Sequence, residues 1–419
     1  MPMSKPYKKR LSKNLLQIVE TFGTPFHIYD EKGIKETCRH LNTAFKKIDG
    51  FKEFFAVKAL PNPSIMKIMK EMGFGFDCSS VPELTLSRQL GSFKEEIMFT
   101  SNNTSLAQFE TALADGGCIL NLDDISLIKK MTHTPDLICF RYNPGPRREG
   151  NTIIGNPIEA KYGVSHDQIL DAYQQCVDLG IKRFGIHTML ASNELNYEYM
   201  VETARMLLNI IKEINKKLDI IFEFINIGGG LGIPYKPDVK PFDLDSMACD
   251  IAQLFNSFKD QNNWVPRLYM ESGRYITGPH GVLVTKVINH KQIYRHYVGV
   301  DASMSSLMRP GMYDAYHHIH IHGKENETIL KTVDVVGALC ENNDKFAVQR
   351  DLPQTREGDL LVIHDTGAHG HAMGFNYNGH LRPKELLLRE DNSVELIRRA
   401  ETMDDYFSTL NFEPKIAIF

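Results

Sequence analysis

Four stretches of the chain put reactive side chains at the ends of apolar runs. Lys58 follows Phe54-Phe55-Ala56-Val57 directly. An amine placed there is partly desolvated and can be tuned toward a nucleophile that forms an imine. A lysine that snorkels to solvent is the plain alternative. Gly228, Gly229 and Gly230 stand in Asn226-Ile227-Gly228-Gly229-Gly230-Leu231-Gly232. Consecutive glycines let backbone N–H groups come close to an anion. Glu271-Ser272-Gly273-Arg274 ends another apolar run and adds an acid, a glycine and a cation. Tight turns alone would account for either glycine stretch; two of them at adjacent strand ends favour a phosphate. His187 closes Phe184-Gly185-Ile186, where it would stack on an aromatic ring, carry a proton, or serve only structure.

Taken together, an imine-forming lysine, an anion cradle, a ring-stacking histidine and an acid suit pyridoxal 5′-phosphate. The lysine would hold its aldehyde carbon, the glycines its phosphate, and Glu271 its ring nitrogen.

These groups need elements that carry them to one place. Eight β-like runs, at 54–58, 75–79, 97–100, 118–122, 137–142, 184–187, 222–227 and 267–271, alternate with helical patterns. Several are continuously apolar, as parallel strands buried on both faces are. Between them, Ile65, Met66, Ile68, Met69 and Met72 repeat at helical spacing, as do Met200, Ala204, Leu207, Leu208 and Ile211. Core packing explains both stripes better than a sticky partner surface. Eight such units predict an α/β fold, a (β/α)8 TIM-like barrel, with a doubly wound open sheet as competitor. After residue 280, runs at 282–289, 297–300, 317–322, 332–336 and 360–364 lack intervening helices. They predict a mostly β C-terminal domain, to which 26–29 would add a strand. The division expected is a barrel over 35–280 and a β domain of 1–34 with 281–419 that completes the active site.

Composition narrows the classes. The 419 residues are 42% hydrophobic and 24% charged, with 30 glycines and 19 prolines, so the chain is globular rather than fibrous. The net charge of −4 lacks the footprint of a general nucleic-acid binder. No run of about 18 apolar residues predicts a membrane span. The basic N-terminus reads as a short helix through Leu15, Leu16, Ile18 and Val19, and the protein as cytoplasmic. Seven cysteines without a CxxC pair give neither a disulfide framework nor a zinc site. Most should be buried small hydrophobes.

The chain resembles the alanine-racemase-fold (fold type III, group IV) pyridoxal-phosphate decarboxylases, and diaminopimelate decarboxylase most of all. The resemblance covers nearly the whole chain. It is carried by Phe55-Ala56-Val57-Lys58-Ala59, by Phe76-Asp77-Cys78-Ser79-Ser80 with Val81-Pro82-Glu83-Leu84, and by Arg141-Tyr142-Asn143-Pro144-Gly145. The two glycine stretches belong to it, and it continues through Arg309-Pro310-Gly311-Met312-Tyr313, Cys340-Glu341-Asn342-Asn343-Asp344, Gly367-Ala368-His369-Gly370 and Asn376-Tyr377-Asn378. The resemblance implies that Lys58, Asp77, His187, Gly228, Gly229, Gly230, Glu271, Gly273, Arg274 and Tyr377 hold the cofactor. It implies that Arg274, Arg309, Tyr313, Glu341 and Tyr377 bind substrate, the arginines gripping a distal carboxylate. Lys58 and Cys340 would be catalytic, Cys340 returning a proton to the substrate carbon in the neighbouring subunit's site. That arrangement implies a homodimer with shared sites and a small amino-acid substrate, with no nucleic acid, membrane or metal.

Several positions depart from the usual pattern. Thr188-Met189-Leu190 stand where a Gly-Ser pair is usual, Ser272 where proline is usual, Asn342 where serine is usual, and His369 where tyrosine is usual; Val81-Pro82 replaces two small residues. Arg274, Arg309, Tyr313 and Glu341 are nevertheless retained and argue for a substrate with a distal amino-acid head, so the reading is a decarboxylase of meso-diaminopimelate that yields L-lysine and CO2. The alternative is a paralogue acting on D-lysine, D-ornithine, a carboxylated polyamine or a specialised natural-product amino acid. An amino-acid racemase and a non-catalytic cofactor-binding protein fit less well, because Lys58, Glu271 and the Cys340-Glu341 pair are all present. The run Tyr316-His317-His318-Ile319-His320-Ile321-His322 reads as a solvated strand face, with metal binding the lesser alternative.

Overall fold

The computed structural model describes residues 3–151 and 153–412; expectations that fall on residues 1, 2, 152 and 413–419 lie outside the described residues. The chain divides into two compact units. One holds residues 32–234 and 238–278, the other the preceding residues with 235–237 and those from 279 onward.

The first unit is a closed barrel of eight parallel strands. They are Lys52–Ala56, Gly75–Cys78, Lys94–Phe99, Cys118–Leu122, Leu137–Asn143, Arg183–His187, Phe222–Asn226 and Arg267–Met270. Each pairs in parallel with the next, and the eighth returns to the first through Tyr269 on Lys52 and Met270 on Glu53. All eight sequence-predicted runs are strands, and the open-sheet competitor is excluded by that closure.

Sequence explains the outer layer. The helix Tyr197–Leu218 starts where Asn196 accepts the Glu198 N–H at 3.0 Å and stops where Asp219 turns left-handed at φ 54°. Its stripe of Met200, Ala204, Leu207, Leu208, Ile211 and Ile214 is buried. At about 1.5–3 kcal/mol for each fully buried large apolar side chain, that stripe outweighs the polar outer face. Inside the barrel, Phe224 stacks on Tyr269 at 4.3 Å. Gly185 makes room for the pair, since a Cβ there would lie 2.1 Å from the Phe224 ring.

The second unit is built on a nine-stranded sheet. Phe26–Asp30 lies in its middle, antiparallel to Gly281–Gln292 and parallel to Lys384–Leu388. The helix Lys5–Phe22 buries Tyr7, Leu11, Leu15 and Ile18 against this sheet, and the Tyr7 hydroxyl donates to the Ile28 carbonyl at 2.7 Å. Three strands escaped the sequence pattern: Lys345–Pro353, Lys384–Leu388 and Val394–Arg398. The first and last are sheet edges with charged residues, so their alternation is broken.

The histidine run departs from expectation. Only Ile319–Ile321 is strand, and His317 and His320 are buried rather than solvated. His320 Nδ1 lies 2.6 Å from His364 Nε2, and His317 Nδ1 lies 2.7 Å from the His364 carbonyl. Neighbouring polar groups inside the unit take the place of water. Of the cysteines, Cys38, Cys78, Cys139 and Cys176 are buried, Cys118 is half-buried, and Cys249 and Cys340 are exposed. Among the described residues no helix is long and apolar enough to cross a membrane.

Candidate active site

Six strand ends at the C-terminal mouth of the barrel carry polar side chains. The first strand runs into a single 3-10 turn, Val57–Ala59, which places Lys58 at the mouth. Register sets the others: Ala56 pairs with Asp77, Arg141 with His187, and His187 with Asn226. Glu271 follows the eighth strand. The mouth of a barrel is where strand ends converge and where such enzymes carry their chemistry.

Glu271 is buried and doubly held. Asn226 donates its side-chain N–H to Oε1 at 2.8 Å, and His187 Nε2 lies 3.2 Å from Oε2. Burial pushes the Glu271 carboxyl up, but the charge and hydrogen bond of His187, then Lys58 and Asn226, outweigh it and hold the group below the usual carboxylate range. Lys58 Nζ is 3.5 Å from Asp77 Oδ2. Solvent reaches 48% of the Lys58 side chain. Burial draws its pKa down, while Asp77 and Glu271 raise it further, so the amine sits above its ordinary value. Asp77 is pushed up to about 7 by burial and by Glu271, with Lys58 opposing.

The glycine stretch is shaped for close approach. Gly228 has φ +70° and Gly230 φ +97°, both in the left-handed region that favours glycine. A Cβ on Gly229 would lie 2.2 Å from the Glu271 carbonyl oxygen. Asn226 ties this loop to the acid, because its Oδ1 accepts the Gly228 N–H at 2.8 Å. The departure at Thr188-Met189-Leu190 is visible here. Thr188 turns its hydroxyl to the Tyr142 carbonyl at 2.8 Å, and Met189 Sδ takes the Gly229 N–H at 3.2 Å. Beyond Ser272, the helix Gly273–Thr277 begins, and Arg274 donates to the Ser192 hydroxyl at 3.3 Å.

These residues fit pyridoxal phosphate. The buried His187 Nδ1 has no hydrogen-bond partner among the described residues, an ionised Glu271 can accept from a ring nitrogen, and the glycine loop packs against the carbonyls of Thr188, Glu271 and Ala191 so closely that only glycine fits, which leaves its backbone free of side chains.

The second unit gathers the other sequence-predicted residues. Arg309 and Tyr313 bracket the short helix Arg309–Tyr313, where Arg309 is buried and Tyr313 exposed. Gly311 lets this helix approach the next turn, since its Cβ would lie 2.3 Å from the Asn343 carbonyl. That turn carries Cys340 and Glu341 and is held by the Cys340 N–H, which donates to Asn378 Oδ1 at 2.6 Å, beside the exposed Tyr377. Buried Asp344 accepts the N–H groups of Met304 at 2.6 Å and Leu339 at 2.8 Å, which fixes both flanks. Cys340 is exposed on the single chain.

Sequence reasoning passed over four residues. Asn226 and Arg141 sat within quoted motifs without a role. Arg141 lies 3.9 Å from Asp123 and 4.1 Å above the Tyr162 ring. Glu53 is buried on the first strand and accepts the Ser272 backbone N–H. Its only signal was a carboxylate directly ahead of the apolar run at 54–58. Tyr235, beside Arg309, had none.

Comparison with known proteins agrees with this geometry. The family described as "Pyridoxal-dependent decarboxylase, pyridoxal binding domain" matches residues 31–278. Protein TabA of Pseudomonas amygdali pv. tabaci is 45% identical over 99% of this chain and 97% of its own length. Diaminopimelate decarboxylase of Methanothermobacter thermautotrophicus is 34% identical over 96% and 95% respectively. The crystal structure of diaminopimelate decarboxylase from M. jannaschii in co-complex with L-lysine superposes with a TM-score of 0.86 at 29% identity, covering 96% of this chain and 95% of that one. The chain therefore belongs to the pyridoxal-phosphate-dependent amino-acid decarboxylases of the alanine-racemase-like fold.

Proposed function

We propose that the protein decarboxylates an amino acid bearing a second amino-acid head, and that meso-diaminopimelate, converted to L-lysine and CO2, is that substrate. The supporting observation is the joining of the Arg309–Tyr313 helix to the Cys340-Glu341 turn through Gly311 and Asn343. It brings the short helix that bears Arg309 and Tyr313 against the turn that bears Cys340 and Glu341.

In this reading the cofactor supplies an electron-accepting ring that takes up the electron pair of the breaking C–C bond. Lys58 holds the cofactor and later releases the product. Asp77 balances the Lys58 charge, His187 covers the ring, and Glu271 keeps the ring nitrogen protonated. Gly228, Gly229, Gly230, Gly273 and the Arg274 backbone bind the phosphate, with Tyr377. Arg274, Arg309 and Tyr313 grip the distal carboxylate, and Glu341 the distal amine. Cys340 returns a proton to the carbon that lost CO2, in the neighbouring subunit's site of a cytoplasmic homodimer.

A second reading, a decarboxylase of D-lysine, D-ornithine, a carboxylated polyamine or a specialised natural-product amino acid, draws support from Met189. Its thioether takes a glycine-loop N–H next to the site. CO2 release from the cofactor-loaded protein, offered these substrates beside meso-diaminopimelate, separates the two. Release from meso-diaminopimelate alone supports the first reading, and release only from another substrate replaces it.

A further inference from the structure

The histidine run has no role in the reaction described so far, yet one of its members touches a substrate residue. His317 is fully buried, and its two ring nitrogens face different partners. Nδ1 lies 2.7 Å from the His364 carbonyl. A carbonyl only accepts, so Nδ1 carries the proton. Nε2 lies 3.0 Å from Arg309 Nη1. A guanidinium only donates, so this nitrogen must offer its lone pair. The two contacts together fix the tautomer and require a neutral ring, because a second ring proton would meet the guanidinium N–H head on.

The other proton of Arg309 Nη1 goes to the Tyr235 hydroxyl at 2.8 Å. The guanidinium lies 4.8 Å from the Tyr235 ring centre, and that ring meets the His317 ring edge-on at 5.1 Å. Arg350 donates to the His317 carbonyl at 3.1 Å, which steadies the backbone behind the ring. Arginine loses much rotamer freedom when it grips a carboxylate, and a guanidinium whose plane is already set loses less on binding.

We infer that His317 and Tyr235 are positioning residues for substrate recognition: a neutral, Nδ1-protonated imidazole and a phenol hold the Arg309 fork in the orientation that selects ligands with a distal carboxylate. The inference rests on the proposed role of Arg309 in binding that carboxylate.

The test compares L-lysine with cadaverine, which differs only by lacking the carboxylate, in calorimetric binding to the cofactor-loaded protein. His317→Phe keeps a ring but removes both hydrogen bonds. It should reduce the preference for L-lysine about tenfold, the scale of losing a hydrogen bond to a charged group. His317→Gln supplies an amide N–H for the His364 carbonyl and an amide oxygen for Arg309, and should restore most of the preference. A preference unchanged in His317→Phe, or equally reduced in His317→Gln, overturns the inference. If wild-type protein itself shows no preference, the carboxylate role of Arg309 fails and the inference falls with it. An independent readout is long-range proton–nitrogen correlation in histidine-labelled holoenzyme, where the signal lost in His317→Phe should show a protonated Nδ1 and a bare Nε2. The opposite tautomer, or a doubly protonated ring at neutral pH, overturns it as well.

Discussion

Glu53 and Ser272 make a prediction whose size follows from the structure. Both are buried, and the Ser272 backbone N–H donates to the Glu53 carboxyl. Burial pushes that carboxyl well above the usual range, with the Ser272 N–H opposing and Glu271 adding to the rise. Removing one partner strands the other without water, at a cost of about 1–3 kcal/mol. Glu53→Leu strands the N–H. Ser272→Pro strands the carboxyl oxygen, and φ −89° at Ser272 is close enough to proline's range for the ring to enter with modest adjustment. The double variant removes both groups and should recover most of the loss. Glu53→Gln keeps an accepting oxygen and should resemble the wild type. About 2 kcal/mol corresponds to roughly 4–8 °C in Tm for domains of 150–250 residues, and to somewhat less in this longer chain. Because the bond anchors the turn between Glu271 and Gly273, each single variant should also weaken cofactor binding in an absorbance titration of the apoprotein. Simple additivity in the double variant, in both melting and titration, would refute the reasoning, since it would mean that the two groups act separately.

The acid Asp77 should leave a mark on stability against pH. Its carboxyl has a reference value of 3.8 and rises to about 7 in the folded apoprotein, so the folded form binds the extra proton between those values. Stability from this group is therefore fullest below about pH 4 and falls as pH rises to about 7. Asp77→Asn should flatten that decline in melting curves taken across the window; parallel curves would count against the assigned environment. Lys58→Ala should abolish both turnover and the imine absorbance, and Cys340→Ala should slow turnover while cofactor stays bound. Mixing and reassociating these two impaired variants should restore full turnover at about a quarter of sites, because half the random dimers are mixed and each has one intact site. No recovery would argue against sites shared across subunits.

Much of this protein is legible along the chain because its candidate functional groups sit at strand ends. Continuous apolar runs such as Leu137–Phe140 report burial on both faces, and the residue that follows each run falls at the mouth of the barrel. Lys58, His187, Glu271 and the glycine loop could be found that way, and the resemblance of the motifs then supplied Arg309, Tyr313, Cys340, Glu341 and Tyr377. The edge strands Lys345–Pro353 and Val394–Arg398 were missed because an edge tolerates charges that break the alternation. The tertiary structure alone decided which polar groups pair. Asn226 joins Glu271 to Gly228, Glu53 reaches across the barrel seam to Ser272, and His317 meets Arg309 and Tyr235. Such pairings depend on register and burial, which bring together residues up to 219 positions apart. A histidine run looks the same in sequence whether water or a guanidinium faces it, and only folding decides between them.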